Sequence, residues 1–397
     1  MGNHRIVLVA TEFSTGGLGS YLATLAQGLS ARGWEVHLLA TDRSGDLFAG
    51  IKAEARHDLS GIPLSMRKVR RSAHLLRRIA PEIVLLNHAA LVHYALPFLN
   101  AGLRPVAVIH SDDPRYYRTA ALYHRRIFGW IAPSRGLADR FAPVLPTERR
   151  GRVHLIPHGV DARFRTTSRD RLRPGVRIIF IGFLGRTKGV DLLPEIMRRV
   201  WLACPAATLT VVGEGPQHAE VETAFDAGEI SGRLRFTGAV TRDEVARLLQ
   251  ESDIFLLPTR LEGFGLAIPE AMLTGCVPVV SHLAGVTDEI IDAGRTGFLV
   301  DQDDAAGFAD AVIRLALDPA LRESVAAAGR AAAESRFTTD RMLDAYEKFF
   351  AQADDRGRLR RCSLLGWALE TGREMLRDGR DTRWLGRRVR EIVRRSS

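Results

Sequence analysis

The segment Glu262-Gly263-Phe264-Gly265-Leu266-Ala267-Ile268-Pro269-Glu270 places two carboxylates around a glycine-broken turn. Pro269 has no N–H to donate, so it must sit within the first turn of a helix, and the spacing predicts a helix start near Gly265. Amides not yet committed to helical hydrogen bonds gather there with the positive end of the helix dipole, which favours a phosphate. Two glutamates bracketing such a site are poor phosphate ligands but good acceptors for sugar and ribose hydroxyls. An ordinary strand-to-helix turn with two solvated glutamates fits the same residues, and short motifs recur by chance. The surroundings favour the chemical reading: Gly275-Cys276-Val277-Pro278-Val279-Val280-Ser281 turns tightly into a buried strand, and Gly285, Glu289 and Gly297-Phe298-Leu299-Val300 come after it.

Three further groups have chemical potential. Gly16-Gly17-Leu18-Gly19 opens a helix like a dinucleotide loop, but the acidic residue such loops need after a second strand is missing: Thr41-Asp42 offers only a poor candidate. Glycines also serve tight turns. His110 lies at the end of an apolar run, where ligands gather in open sheets, although a strand-end histidine can equally be structural. Asp301-Gln302-Asp303-Asp304 has the D-x-D spacing of metal-dependent transferases, yet it comes directly after Phe298-Leu299-Val300, where a surface turn and helix cap are expected. No metal site and no cofactor are expected.

These residues need elements to hold them. Apolar, β-branched runs at Arg5–Ala10, Glu35–Ala40, Ile83–Asn87, Pro105–His110 and His154–Pro157 read as strands. A polar, arginine-rich stretch (162–175) intervenes, and a second series occupies Arg177–Gly182, Thr208–Gly213, Leu234–Gly238, Asp253–Pro258, Cys276–Ser281 and Phe298–Val300. Near-continuous Val, Ile and Leu marks strands buried on both faces, as in parallel sheets. Between them lie helical stretches such as Leu22, Leu25, Ala26 and Leu29, ended by Ala31-Arg32-Gly33. Strand and helix in alternation predict parallel α/β architecture. The break divides the chain into an N-terminal Rossmann-like domain (1–165) and a second (176–335), with a cleft between them. An alanine-rich helical region spans 305–350, its end (336–355) crossing back to the first domain, and a basic, helical, peripheral tail occupies 356–397.

Length and composition agree. The 397 residues are too many for one ordinary domain, and the 46% hydrophobic share is enough for two cores. Three widely spaced cysteines (Cys204, Cys276, Cys362) form no disulfide or zinc pattern, in keeping with a reducing compartment. No apolar run approaches the roughly 18 residues that span a bilayer. The first apolar run gives way at once to Thr11 and Glu12, so it reads as a strand and not a signal peptide, and a cytoplasmic location is expected. The net charge of +10 calls for an anionic partner.

Several of these blocks, in this order, resemble the retaining GT-B glycosyltransferases of family 4. The paired glutamates Glu262 and Glu270 match that group's hallmark, and the likeness runs from about Arg5 to Phe350. Gly16-Gly17-Leu18-Gly19, Ala132-Pro133-Ser134, Ile156-Pro157-His158-Gly159-Val160-Asp161, Lys188-Gly189-Val190, Val212-Gly213-Glu214-Gly215-Pro216 and Phe236-Thr237-Gly238 keep the register. The resemblance implies two Rossmann-like domains with parallel sheets facing across a cleft and a nucleotide diphosphate sugar bound to the second. It assigns Glu270 to the ribose hydroxyls and Glu262 to the donor sugar. The amides of Phe264 to Leu266, with Gly263, would hold sugar and diphosphate oxygens, Lys188 the diphosphate, and His110 the sugar. The Gly16-Gly17 loop would meet donor or acceptor. In one place the chain departs from the pattern. The family carries Gly-Arg after the second domain's first strand, and here the pair is Gly182-Phe183, leaving Arg186 as the substitute cation or as a solvated side chain.

The activity implied by the resemblance is hexose transfer to an acceptor hydroxyl of a glycan or lipid-linked acceptor in bacterial surface-glycan assembly, such as lipopolysaccharide or exopolysaccharide. A catalytically degenerate nucleotide-sugar-binding protein on the same fold is the alternative that Phe183 raises. An epimerase or dehydrogenase would want the full dinucleotide loop, and a nucleic-acid binder a concentrated basic, aromatic surface; neither is present. Residues 67–78 read as a basic amphipathic helix, and Met66, Val69, Ala73 and Leu76 share one face. It is either a solvated helix on its sheet or, with the arginines of the tail, a contact for the anionic inner face of the plasma membrane.

Overall fold

The computed structural model describes residues 4–100, 102–165, 175–225, 232–352, 367 and 370–373. The chain divides into two compact units, Met1–Pro157 with Leu343–Ser397, and His158–Met342.

The first unit is built on β1 (Arg5–Ala10), α1 (Gly17–Ala31), β2 (Glu35–Ala40), β3 (Ala55–Asp58), α2 (Met66–Ile79), β4 (Ile83–Asn87), α3 (Ala90–Ala95), β5 (Arg104–Val108), α4 (Pro114–Ala121), β6 (Gly129–Ala132), α5 (Arg135–Phe141), α6 (Thr147–Arg150) and β7 (Val153–Leu155). Its seven strands run in the order β3-β2-β1-β4-β5-β6-β7, each pairing parallel to its neighbours. The apolar runs of β1 and β4 are buried almost throughout, as strands covered on both faces must be. Two strands have no long apolar run to mark them in the sequence. The edge strand β3 is a polar Ala-Arg-His-Asp run, and β6 is only Gly-Trp-Ile-Ala. The β5 run ends at Val108, so His110 stands two residues beyond the strand.

The second unit contains β8 (Arg177–Ile181), α7 (Leu193–Ala203), β9 (Thr208–Val212), α8 (His218–Ala224), β10 (Leu234–Gly238), α9 (Arg242–Gln250), β11 (Ile254–Leu257), α10 (Ala267–Leu273), β12 (Val277–Ser281), β13 (Phe298–Val300), α11 (Ala305–Leu317) and α12 (Pro319–Arg336). Its six-stranded sheet has the order β10-β9-β8-β11-β12-β13 and is likewise parallel. Strand order reverses between β8 and β11, so the chains leaving their C-terminal ends diverge and open a crevice, the place where open α/β sheets bind ligands. The loops that leave there carry Lys188 and Glu262.

The final helix α13 (Thr339–Phe350) adds its later turns to the first unit. The Tyr346 hydroxyl meets that of Tyr21 at 2.5 Å, and the Phe349 ring lies 5.4 Å from that of Phe128. Gly28 of α1 makes room for Leu343: a Cβ there would fall 2.5 Å from Leu343 Cδ1. Most of the basic tail lies outside the described residues, including Cys362 and the arginines from Arg380 onward. The described part is less peripheral than expected. Trp367 is buried and donates from its indole to the Tyr94 carbonyl at 2.7 Å, and Thr371 Oγ1 bonds the Tyr123 hydroxyl at 2.8 Å.

Candidate nucleotide-sugar site

In the second unit the loop after β8 makes a short 3-10 turn over Arg186–Lys188, and Gly189 then takes a left-handed conformation with φ of 66°. Only glycine fits there, because a Cβ would lie 1.8 Å from the Pro258 carbonyl oxygen. The loop after β11 clasps this turn through its backbone. The Arg260 amide donates to the Thr187 carbonyl at 2.8 Å, and Thr259 Oγ1 donates to the same oxygen at 3.0 Å. The Arg260 guanidinium bonds the Arg186 carbonyl (2.6 Å) and forks onto both Asp191 oxygens (2.7 and 2.9 Å). The two loops are thus one scaffold.

On that scaffold Lys188 Nζ donates to Glu262 Oε1 at 2.5 Å, and both side chains are largely shielded from water. Two residues assigned to neighbouring parts of one substrate therefore touch. Arg186 and Phe183 are both exposed, Phe183 at 57%. Asp303 pairs with Arg260 at 2.6 Å, and Asp304 caps α11 by accepting from the Gly307 amide at 2.9 Å, so two of the acidic cluster's members serve the turn and the cap. Among the described residues no group of three metal-ligating side chains is gathered.

The helix after Glu262 begins at Ala267, two residues later than the expected start at Gly265. Gly265 takes φ of 81°, and the first bond runs from the Ile268 amide to the Gly265 carbonyl. A left-handed residue belongs to the turn and not to the helix, which accounts for the shift. The seven-residue α10 is short, so electrostatic help for a phosphate falls more on Lys188 than on a helix dipole. Phe264 turns its ring inward, edge-on to His158 (5.3 Å) and Phe337 (5.7 Å). Burial pushes the His158 imidazole down to about 3, so it is neutral at ordinary pH.

Glu270 is buried on α10, and burial raises its carboxyl above the usual range while Arg242 partly offsets this. Arg242 Nη1 pairs with Glu270 Oε1 at 2.8 Å, and a carboxylate so paired keeps further positions at which to accept. The Arg242 guanidinium stacks over Phe164 at 4.9 Å, and Asp161 and Arg163 stand nearby, with Arg163 bonded to Asp243 at 2.6 Å. The sequence motifs do not single out Arg242, Arg260, Asp161 or Arg163. Arg260 sits only two residues before Glu262, and Asp161 lies within the Ile156–Asp161 block, but nothing in the sequence points from Arg242 to a carboxylate 28 residues on.

In the first unit, Gly16 (φ 137°) and Gly17 open α1, and a Cβ at either would meet no atom within 4 Å. His110 Nε2 lies 2.8 Å from Asn87 Oδ1, and its ring is flanked edge-on by Tyr21 (5.0 Å) and His88 (5.3 Å).

Two parallel α/β units of this topology define the GT-B class of fold. The HepE protein of Anabaena, solved in complex with UDP-glucose, matches 88% of this chain and 100% of its own with a TM-score of 0.73 at 20% identity. A family model described as Glycosyl transferases group 1 matches residues 175–318, and one described as Glycosyltransferase Family 4 matches residues 15–164. The chain belongs to this family of glycosyltransferases. The amylovoran biosynthesis glycosyltransferase AmsK of Erwinia amylovora is 31% identical over 193 residues, 47% of each chain. The GDP-mannose-dependent alpha-(1-6)-phosphatidylinositol monomannoside mannosyltransferase of Mycobacterium tuberculosis is 33% identical over 242 residues, 56% of this chain and 60% of its own. The chain's matches span about half the length of the first of these curated relatives.

Proposed function

We propose that the protein transfers a hexose from a nucleotide diphosphate sugar to an acceptor hydroxyl with retention at the anomeric carbon, in assembly of a bacterial surface glycan. The observation that carries this is the pairing of Lys188 with Glu262 on the two loops that flank the strand-order reversal, with Glu270 buried on the short helix that follows. Glu270 accepts from the ribose hydroxyls, Glu262 from the sugar, and Lys188 faces the diphosphate. The relatives' names support a glycan setting: one serves amylovoran biosynthesis, and the other uses GDP-mannose on a phosphatidylinositol mannoside.

As the bond from the anomeric carbon to the diphosphate oxygen breaks, negative charge grows on the leaving group, and Lys188 with the Phe264–Leu266 amides stabilises it. The sugar becomes oxocarbenium-like. The acceptor oxygen attacks from the face the phosphate is leaving and gives that phosphate its proton, so no protein base is required and configuration is kept. Metal is not assigned a part. On this reading the reaction takes place in the cytoplasm. The exposed arginines of α2 supply a surface for anionic lipid where the acceptor is lipid-linked.

Nucleotide release measured with a panel of uridine, guanosine and adenosine diphosphate sugars, with and without a chelator, tests the reading, and NMR of the product reads its anomeric configuration. Tight nucleotide binding without turnover of any donor and acceptor pair would favour the degenerate binding protein. Activity abolished by chelator and restored by magnesium would overturn metal independence.

A further inference from the structure

The side-chain amide of Asn87, the last residue of β4, has its orientation fixed by its surroundings. Its Nδ2 donates to the Val9 carbonyl on β1 (3.1 Å) and to the Leu85 carbonyl (3.2 Å), and the residue is fully buried. Turned the other way, Oδ1 would face two carbonyl oxygens, and buried acceptors opposed to acceptors are costly. Oδ1 therefore points away from both, toward His110 Nε2 at 2.8 Å. An amide oxygen can only accept, so the imidazole must donate from Nε2, and in the neutral ring the acceptor is then Nδ1. Tyr21 and His88 hold the ring edge-on, and Tyr21 is itself anchored through Tyr346. His88 keeps an unusual backbone φ of 52°, and burial pushes its imidazole down to about 3, so it flanks His110 as a neutral ring.

From this we infer that Asn87 is a positioning residue. It locks His110 as the Nε2–H tautomer at the ligand-gathering end of the sheet, with Nδ1 as the acceptor nitrogen of the neutral ring. The inference rests on the transferase reading insofar as it needs His110 to meet substrate. The amide is well suited to the task, because it orients the ring without the charge a carboxylate in its place would bring.

Long-range nitrogen–proton NMR of the full chain labelled at histidine, with His110 assigned by its loss in His110→Gln, reads the tautomer directly. The wild-type neutral ring should carry its proton on Nε2. Asn87→Ala should lose that single tautomer and lower kcat about tenfold with KM little changed, while nucleoside diphosphate affinity stays within twofold and reports an intact second unit. Asn87→Asp, whose second oxygen must carry a proton to face the Val9 and Leu85 carbonyls, should recover the Nε2–H tautomer only in part. A wild-type Nδ1–H tautomer, or an unchanged tautomer in Asn87→Ala, would overturn the positioning role. If the tautomer shifts while both Asn87→Ala and His110→Ala turn over like wild type, then the histidine's place in the reaction fails instead.

Discussion

Lys188 and Glu262, 74 residues apart in sequence, form a direct ion pair at 2.5 Å. A bound diphosphate must compete with Glu262 for the ammonium, and a bound sugar must compete with Lys188 for the carboxylate. Each half of a nucleotide sugar relieves the other half's competitor. Glu262→Gln should therefore tighten binding of a nucleoside diphosphate lacking sugar, by about threefold to tenfold, while turnover of the intact donor falls at least 100-fold. Lys188→Ala should lose about 100-fold in kcat. Calorimetric titration beside donor turnover checks both, and weaker diphosphate binding in Glu262→Gln would contradict the competition.

Glu270 should make nucleotide affinity depend on pH. Its folded carboxyl titrates above the ordinary range because it is buried, and only the ionised form accepts from both ribose hydroxyls. Affinity should fall as pH drops through that raised value, while ordinary glutamates are still charged. For stability the sign is opposite: the folded state holds the proton more tightly than the unfolded one, so this group's contribution shrinks as pH rises through the same window. Arg242→Leu removes the offsetting charge and should move the affinity limb to higher pH. Glu270→Gln should bind nucleotide about tenfold more weakly with no such limb. Fluorescence titration of nucleotide from pH 5 to pH 8 reads both.

Arg186 faces solvent beside a neutral Phe183, so its share in the diphosphate site rests on reach alone. If it supplies the second cation, Arg186→Ala should cost about as much kcat as Lys188→Ala, and Arg186→Lys should recover part, since a guanidinium binds phosphate oxygens bidentately. Phe183→Arg in the Arg186→Ala background should rescue turnover. Wild-type kinetics in Arg186→Ala would reduce that arginine to a solvated side chain.

Gly189→Ala should unfold the turn that carries Lys188. The added methyl would stand 1.8 Å from the Pro258 carbonyl oxygen, and the left-handed backbone penalises any other L-residue. A loss of about 3 kcal/mol is expected in thermal or denaturant unfolding. Gly17→Ala is the control: nothing lies within 4 Å of its Cβ, so stability should be unchanged or slightly raised.

Helix α2 buries Val69, Ser72, Ala73, Leu76 and Ile79 and leaves Arg67, Arg70, Arg71, Arg77 and Arg78 exposed. Lys68 is withdrawn from this surface, being buried near Asp42. Sedimentation with phosphatidylserine vesicles should exceed that with neutral vesicles and fall with salt, and Arg70→Glu with Arg71→Glu should weaken it by about 1 kcal/mol per residue or more. Equal sedimentation with both vesicle types would rule membrane docking out.

The strands whose apolar runs are buried on both faces are legible in the sequence, β1, β4, β8 and β12 among them, because burial and composition coincide there. The polar edge strand β3 is not, since its alternation covers only four residues with one face in solvent, and β6 is too short to rise above the loops beside it. Within the candidate site, Glu262 and Glu270 stand out in a local motif and Lys188 through the family resemblance. The charges that organise them, Arg242 on α9 and Arg260 in the β11 loop, are set by tertiary approach, which no spacing along the chain encodes.

Gly189 is not alone in pressing a bare backbone against this loop. A Cβ at Gly213 would stand 2.0 Å from the Gly182 carbonyl oxygen, and one at Gly215 would stand 2.4 Å from that of Leu184. The path of residues 182–189 is thus gripped main chain to main chain at Gly182, Leu184 and Gly189, while the Phe183 side chain is mostly in solvent. Such a loop is free to exchange an arginine for a phenylalanine, and to relocate its cation a few positions downstream, without being rebuilt. The charge this stretch presents can then change by single substitutions on an unchanging bed.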